Sequence, residues 1–249
     1  MKSQHTLAAL EALRTTAGES IPLICCQNGV ANERMAARRF DRVYAMKVFL
    51  PASHIEPGVV LHEAISCGGI LDAGCFPNGT DNFIRSVVHD IEAAGFSAVA
   101  DERVMRWKYA KLLSNLGNTL QVVTKISDTS RQITHKMKHE ALQCYAAAGI
   151  ECADRDEIAQ RHGDLIHLGK ITGHERAGSS SWQSLLRGTG NIETDYLNGE
   201  IVQLGRLYNI ATPANQCVQQ LGNMVVQSGM EPGSVPVADV LARIDAMSS

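Results

Sequence analysis

The hydrophobic pattern of this chain changes period near Asp101, and that change most constrains what it can fold into. Upstream, short continuous apolar runs at 21–26 and 43–50 alternate with amphipathic stretches. Such runs suit strands covered on both faces, as in a parallel sheet. Helical spacing is expected over 6–17, where Gly18 is the stop, and over 32–40. It is also expected over 80–94, with Asp81 favoured near the start and Gly95 at the end. Shorter apolar pieces at 59–64, 69–71 and 96–100 are further strand candidates. Downstream, strand-like alternation disappears and helical patterns cover 104–123, 133–148, 193–208 and 214–226. The expectation is a Rossmann-type α/β half over 1–101, with a parallel sheet, followed by an all-α half over 102–249.

Composition narrows the function classes. A net charge of −3 and a pI near 6.3 leave no basic face for nucleic acid. The densest basic cluster, Arg34, Arg38 and Arg39, sits at helical spacing and reads as solvated. Seven cysteines, an odd number with no C-x-x-C pair, predict free thiols in a reducing compartment. No window is apolar enough to span a bilayer, and Met1 to His5 lacks the apolar run of a signal peptide. A soluble cytoplasmic protein without membrane partners is expected. Hydrolase and metal readings find little: no G-x-S-x-G elbow occurs, and His135 and His139 lack the intervening Glu of a zinc protease helix. No metal site is predicted.

Three segments could carry chemistry. On a helix, Trp107, Lys111, Asn115 and Asn118 share one face. A buried ammonium there could act as a general acid, and amides beside it could hold a carboxylate or hydroxyl. The plain alternative is a solvated lysine with asparagines lining a helix contact. In the second segment, Asn191 suits a helix N-cap, which places Glu193 and Asp195 in a first turn where the helix dipole alone explains them. Thr212-Pro213 reads as N-cap and N1 of the next helix. The third, Gln27-Asn28-Gly29, ends a buried strand, where ligands of open α/β sheets bind, although Asn-Gly is also an ordinary turn.

Together these segments resemble ketopantoate reductase (2-dehydropantoate 2-reductase). The ordered set is Lys2-Ser3, Asn28-Gly29, Trp107 with Lys111-Leu112 and Asn115, Ser181, Glu193 with Asn198-Gly199, and Thr212-Pro213. The resemblance implies a Rossmann domain followed by a helical domain of the 6-phosphogluconate-dehydrogenase C-terminal type. It implies NADP(H)-dependent reduction of a 2-oxo acid, 2-dehydropantoate in pantothenate biosynthesis, and a possible homodimer through the helical domain. By resemblance Lys111 is the proton donor, and Glu193 the carboxylate near it and the cofactor. Lys2, Asn28 and Ala52 resemble cofactor contacts. Asn28, Asn115 and Ser181 resemble substrate contacts, with Asn118 beside them.

Departures from the family pattern leave questions open. The spacing from Trp107 is two residues wider than the common form, which makes Lys108 a rival to Lys111. Thr119 stands where a second family Asn would fall, and Gly178 where the biosynthetic enzyme carries Asn. No G-x-G-x-x-G occurs. The expectation is a chain that lacks the first Rossmann unit, binds NADPH weakly and leaves a sheet edge open. Two alternatives stand: a non-catalytic remnant serving as a helical interaction module, and a reductase of another 2-oxo acid.

Overall fold

The computed structural model describes residues 1–173, 180–186 and 191–248. The chain opens with a 3-10 turn, Ser3–His5, leading into α1, Thr6–Ala17, which ends at Gly18 as expected. Strand β1, Pro22–Cys25, is followed by a short α2, Asn32–Ala36, and then by β2, Arg42–Phe49. A two-stranded hairpin, β3 (Ala52–Ser53) with β4 (Leu61–His62), precedes β5, Ile70–Cys75. Helix α3, Asn82–Ala93, starts at Asp81, whose side chain caps it by accepting from Ile84 N at 2.9 Å.

The sheet order is β1-β2-β5. β1 and β2 run parallel, with α2 lying in their crossover. β2 and β5 are antiparallel. The expected parallel sheet is therefore mixed. No helix lies between β2 and β5, so the chain returns in the opposite sense rather than crossing over. Residues 97–100 add parallel bridges on the far side of β5 at Ile70–Ser97 and Ala73–Ala100. Gly74 permits this approach, because a Cβ there would lie 2.0 Å from Asp101 O. Alternate residues of β2 face opposite sides. Tyr44 and Met46 pack with Ile84 and Val88 of α3, while Val43 packs with Leu10, Cys25, Ala36 and Phe40.

The remaining elements are helical. They are α4 (Val104–Asn115), α5 (Gly117–Val123), α6 (Asp128–Ala148), α7 (Arg155–His162), α8 (Ser180–Leu186), α9 (Asn198–Tyr208), α10 (Pro213–Gln227) and α11 (Val237–Ser248). The single helix expected over 104–123 is divided at Leu116, just before Gly117. Helices α7 and α11 carry no feature that the sequence reading had picked out.

Two compact units emerge, and they interleave along the chain. The first holds residues 1–53, 60–111 and 152–175, and the second 54–59, 112–151 and 176–249. The expected division at residue 101 is a single cut, whereas α4 contributes to the first unit through Lys111 and to the second from Leu112. Segment 152–175 returns to the first unit, where Arg161 of α7 binds Asp72 of β5 through both nitrogen and oxygen pairs. In the second unit α10 is central, packed against α5, α6, α9 and α11. Among the described residues no helix is long and apolar enough to cross a membrane.

Candidate active site

Two lysines of α4, three residues apart, have opposite surroundings. Lys108 is 3% exposed, with its Nζ 2.5 Å from Glu33 Oε1. It also donates to Cys25 O at 3.3 Å and Gln27 O at 3.0 Å, which ties α4 to the carboxyl end of β1. A carboxylate and two carbonyls match the three donors of an ammonium. This is a buried structural pair, and burial beside Glu33 pushes the neighbouring Cys25 thiol up to about 12. Lys111 instead lies over the ring of Phe49, its Nζ 4.9 Å from the centroid. Burial holds its ammonium below the ordinary lysine range.

Trp107, one turn before Lys111, donates its indole N–H to Asp101 at 2.7 Å and so closes the loop leading into α4. One turn after Lys111, Asn115 is buried, and its Nδ2 has no partner among the described residues. Asn118 belongs to α5 and lines a pocket of the second unit with Ser114, Gln121, Ser130, Arg131 and Thr134. Thr119 is fully buried, and its hydroxyl likewise has no partner among the described residues.

Asn28 is partly exposed just beyond β1, before Gly29 at φ 81°, a left-handed position that favours glycine. Its carbonyl accepts from Ser3 Oγ at 3.3 Å and Asn32 Nδ2 at 3.2 Å, which locks the turn to the start of α1. Lys2 is the residue preceding that 3-10 turn. Beside Asn28, the buried Gln27 Oε1 is an acceptor without a partner among the described residues. Ala52 sits in the hairpin opposite His62. In the second unit, Ser181 is buried on α8. Glu193 is partly exposed and precedes a 3-10 turn, Thr194–Tyr196. The helix there begins only at Asn198, so Asn191 does not cap it. Gly178 lies outside the described residues.

The structure thus places Lys111, Asn28, Lys2 and Ala52 in the first unit, and Asn115, Asn118, Ser181 and Glu193 in the second. It also reveals charged residues that the sequence reading passed over. Lys47 of β2 is 5% exposed and stands opposite Asp72 of β5 in the strand register. Its Nζ is 3.2 Å from His162 Nε2 and 3.9 Å from Asp72 Oδ2. A lysine interrupting the apolar run 43–50 was the available signal. In the second unit Thr212 does not cap α10 with its side chain. Glu140 of α6 does so instead, accepting from Ala214 N at 2.8 Å, Asn215 N at 3.0 Å and Asn215 Nδ2 at 2.7 Å. Among the described residues no cluster of His, Cys, Asp and Glu could hold a metal ion.

Comparison with known proteins bears on this geometry. The family model described as ketopantoate reductase PanE/ApbA matches residues 1–78, and its C-terminal model matches residues 103–226. The chain is similar to the 2-dehydropantoate 2-reductase of Halobacterium salinarum, 22% identical over 92% of this chain and 75% of the relative. It is 25% identical to the Pyrococcus abyssi enzyme of the same name, over 86% of this chain and 70% of that one. Among solved structures, a PanE/ApbA family ketopantoate reductase from Ralstonia eutropha superposes with a TM-score of 0.72. It is 23% identical and covers 92% of this chain and 74% of its own. A D-mandelate dehydrogenase complex with NADH gives 0.75 at 18% identity, covering 92% and 77%. The chain spans about three quarters of the length of the Halobacterium relative. The two family models together cover most of the sequence, and the chain belongs to the ketopantoate reductase PanE/ApbA family of oxidoreductases.

Proposed function

We propose that this protein reduces a 2-oxo acid to a 2-hydroxy acid with NADPH, with 2-dehydropantoate as the substrate and pantoate as the product. One observation carries the reading. Helix α4 presents, one turn apart, an ammonium over Phe49 whose proton affinity is lowered by burial and a buried amide donor without a partner among the described residues. Lys111 is the proton donor. As the ketone accepts a hydride at carbon, its oxygen takes a proton from Lys111 Nζ and becomes the hydroxyl, leaving Lys111 as the neutral amine. Before the transfer the same ammonium stabilises the developing alkoxide. Asn115 Nδ2 and the hydroxyl of Ser181 orient the acid, and Asn28 and Asn118 supply further amides. Lys111 rather than Lys108 is taken for this role because the donors of Lys108 are committed to Glu33, Cys25 O and Gln27 O.

When bound, the reduced nicotinamide nucleotide supplies the hydride. The residues present suit such a group at the carboxyl end of β1. Gln27 Oε1 is a buried acceptor awaiting a hydroxyl or amide donor, and Asn28 stands next to it. Lys2, Asn28, Ala52 and Glu193 are the residues that would hold the nucleotide. One solved relative is described as a dimeric ketopantoate reductase, and a homodimer through the helical unit is the assembly proposed here.

The test is NADPH oxidation with 2-dehydropantoate and a panel of other 2-oxo acids, for wild type and Lys111→Ala. Turnover of 2-dehydropantoate that disappears in Lys111→Ala supports the reading. Turnover of a different 2-oxo acid moves the substrate and keeps the chemistry. Nucleotide binding without turnover of any acid overturns the enzymatic reading in favour of an interaction module.

A further inference from the structure

Lys111 shares Phe49 with a second buried ammonium. Lys47 and Phe49 project from the same face of β2, two residues apart. The Nζ of Lys47 lies 6.0 Å from the Phe49 centroid and 6.0 Å from the Trp107 ring, and the Nζ of Lys111 lies 4.9 Å from Phe49. Phe49 also packs on His162, with ring centroids 4.7 Å apart.

The charged groups facing Lys47 come from three elements: Asp72 from β5, Arg161 and His162 from α7, and Lys111 from α4. Asp72 is engaged mainly by Arg161, at 2.5 Å from Nη2 and 3.2 Å from Nε, and stands 3.9 Å from Lys47. Two cations, Arg161 and Lys47, thus face one buried carboxylate, and Lys111 acts on Lys47 as a further like charge. Burial lowers Lys47 to about 8, with Arg161 and Lys111 pushing the same way against Asp72. Burial, Lys47, Lys111 and Arg161 together push His162 down to about 4, so it is neutral near pH 7 and accepts from Lys47 at Nε2.

We propose that Lys47 and Lys111 act as one coupled pair of ammoniums, in which Lys47 is a positioning residue whose charge makes Lys111 readier to release its proton. This rests on the reading of Lys111 as the proton donor. In a coupled pair the first proton lost belongs to both sites. While both ammoniums are charged, their repulsion favours transfer from Lys111 to the alkoxide. Once the pair has lost a proton to solvent, that advantage is gone. The alkaline limb of kcat/KM in wild type therefore follows the first proton lost by the pair.

Two measurements on the intact protein test the pair. The first follows the lysine Cε resonances of 13C-labelled protein with pH and needs neither cofactor nor substrate. In Lys111→Met, the Lys47 midpoint rises by about one pH unit, because a like charge has been removed. An unchanged Lys47 midpoint overturns the proposal. The second is the kcat/KM profile. Lys47→Gln keeps a donor toward His162 but removes the charge, and its alkaline limb moves up by about one pH unit. Lys47→Arg restores the charge and the wild-type limb. If Lys47→Gln and Lys47→Arg show the same limb as wild type while Lys111→Met is inactive, Lys47 plays no part in the reaction and the proposal fails. If Lys111→Met retains full turnover, the proposal falls with the reading beneath it, and an intact coupling in the resonance titration would place the fault in the role of Lys111.

Discussion

The two corners of the first unit that meet α4 handle buried charge in opposite ways. At Lys108 the charge is balanced: one ammonium faces one carboxylate, Glu33, and two backbone carbonyls, with the two charged side chains almost wholly shielded from solvent. At Lys47 it is in surplus: Lys47 and Arg161 share the one carboxylate of Asp72, and Lys111 acts on Lys47 as a like charge. Removing charges from water costs several kcal/mol per ion unless partners replace the solvation. The balanced corner joins β1 to α4. The surplus corner keeps its ammoniums reluctant to stay charged, the condition a general acid needs near neutral pH.

The largest effect should separate the two corners. Lys111→Ala is expected to cut kcat about 10²–10⁴-fold, the usual worth of a positioned proton donor, while thermal unfolding shifts little. Lys108→Met should do the reverse. It strands Glu33 in the interior and costs about 3–5 kcal/mol of stability, read from denaturant unfolding. Equal losses of stability in the two variants would erase the contrast.

A smaller effect is expected in the second unit. Glu140→Ala leaves the amides of Ala214 and Asn215 without an acceptor, and a cost of about 1–3 kcal/mol is expected in the same measurement. Burial raises the proton affinity of Glu140 even against its three N–H donors. The smallest effect concerns pH. His162 titrates near 4 in the folded protein against an ordinary 6.5, so the unfolded chain takes up a proton first as pH falls. Its contribution to stability is complete above about pH 6.5 and lost as pH falls toward 4. Melting temperature measured between pH 7.5 and 4.5 should decline less steeply in His162→Gln than in wild type. Parallel declines would show that His162 is protonated in the fold.

Much of this was legible beforehand, though unevenly. Helix α1 and its Gly18 stop, strand β2 and the helical character after Asp101 followed from periodicity and turn residues alone. The face bearing Lys111 and Asn115 followed from helical spacing. The direction of β5 did not, because an apolar run reads the same whichever way its neighbour points. The start of α9 was misplaced: Asn191 has the chemistry of a cap, but the chain first makes a 3-10 turn and buries Asn198, which donates to Leu116 O and Asn215 Oδ1. Thr212 also has the chemistry of a cap, yet a carboxylate from α6 takes its place.

By itself the sequence determined which residues could do chemistry and that Lys108, Lys111 and Asn115 would share one helix, because period, turn residues and motif order act within a few residues. It left Lys108 and Lys111 as rivals, since both are lysines on one helix. Only the tertiary structure gave them different surroundings. Glu33 lies 75 positions from Lys108 along the chain, and Asp72 and His162 lie 25 and 115 positions from Lys47. Such partners meet only when strands pair and helices pack. The proton affinity of a buried lysine is set by those partners and by lost solvent, and no local pattern records them.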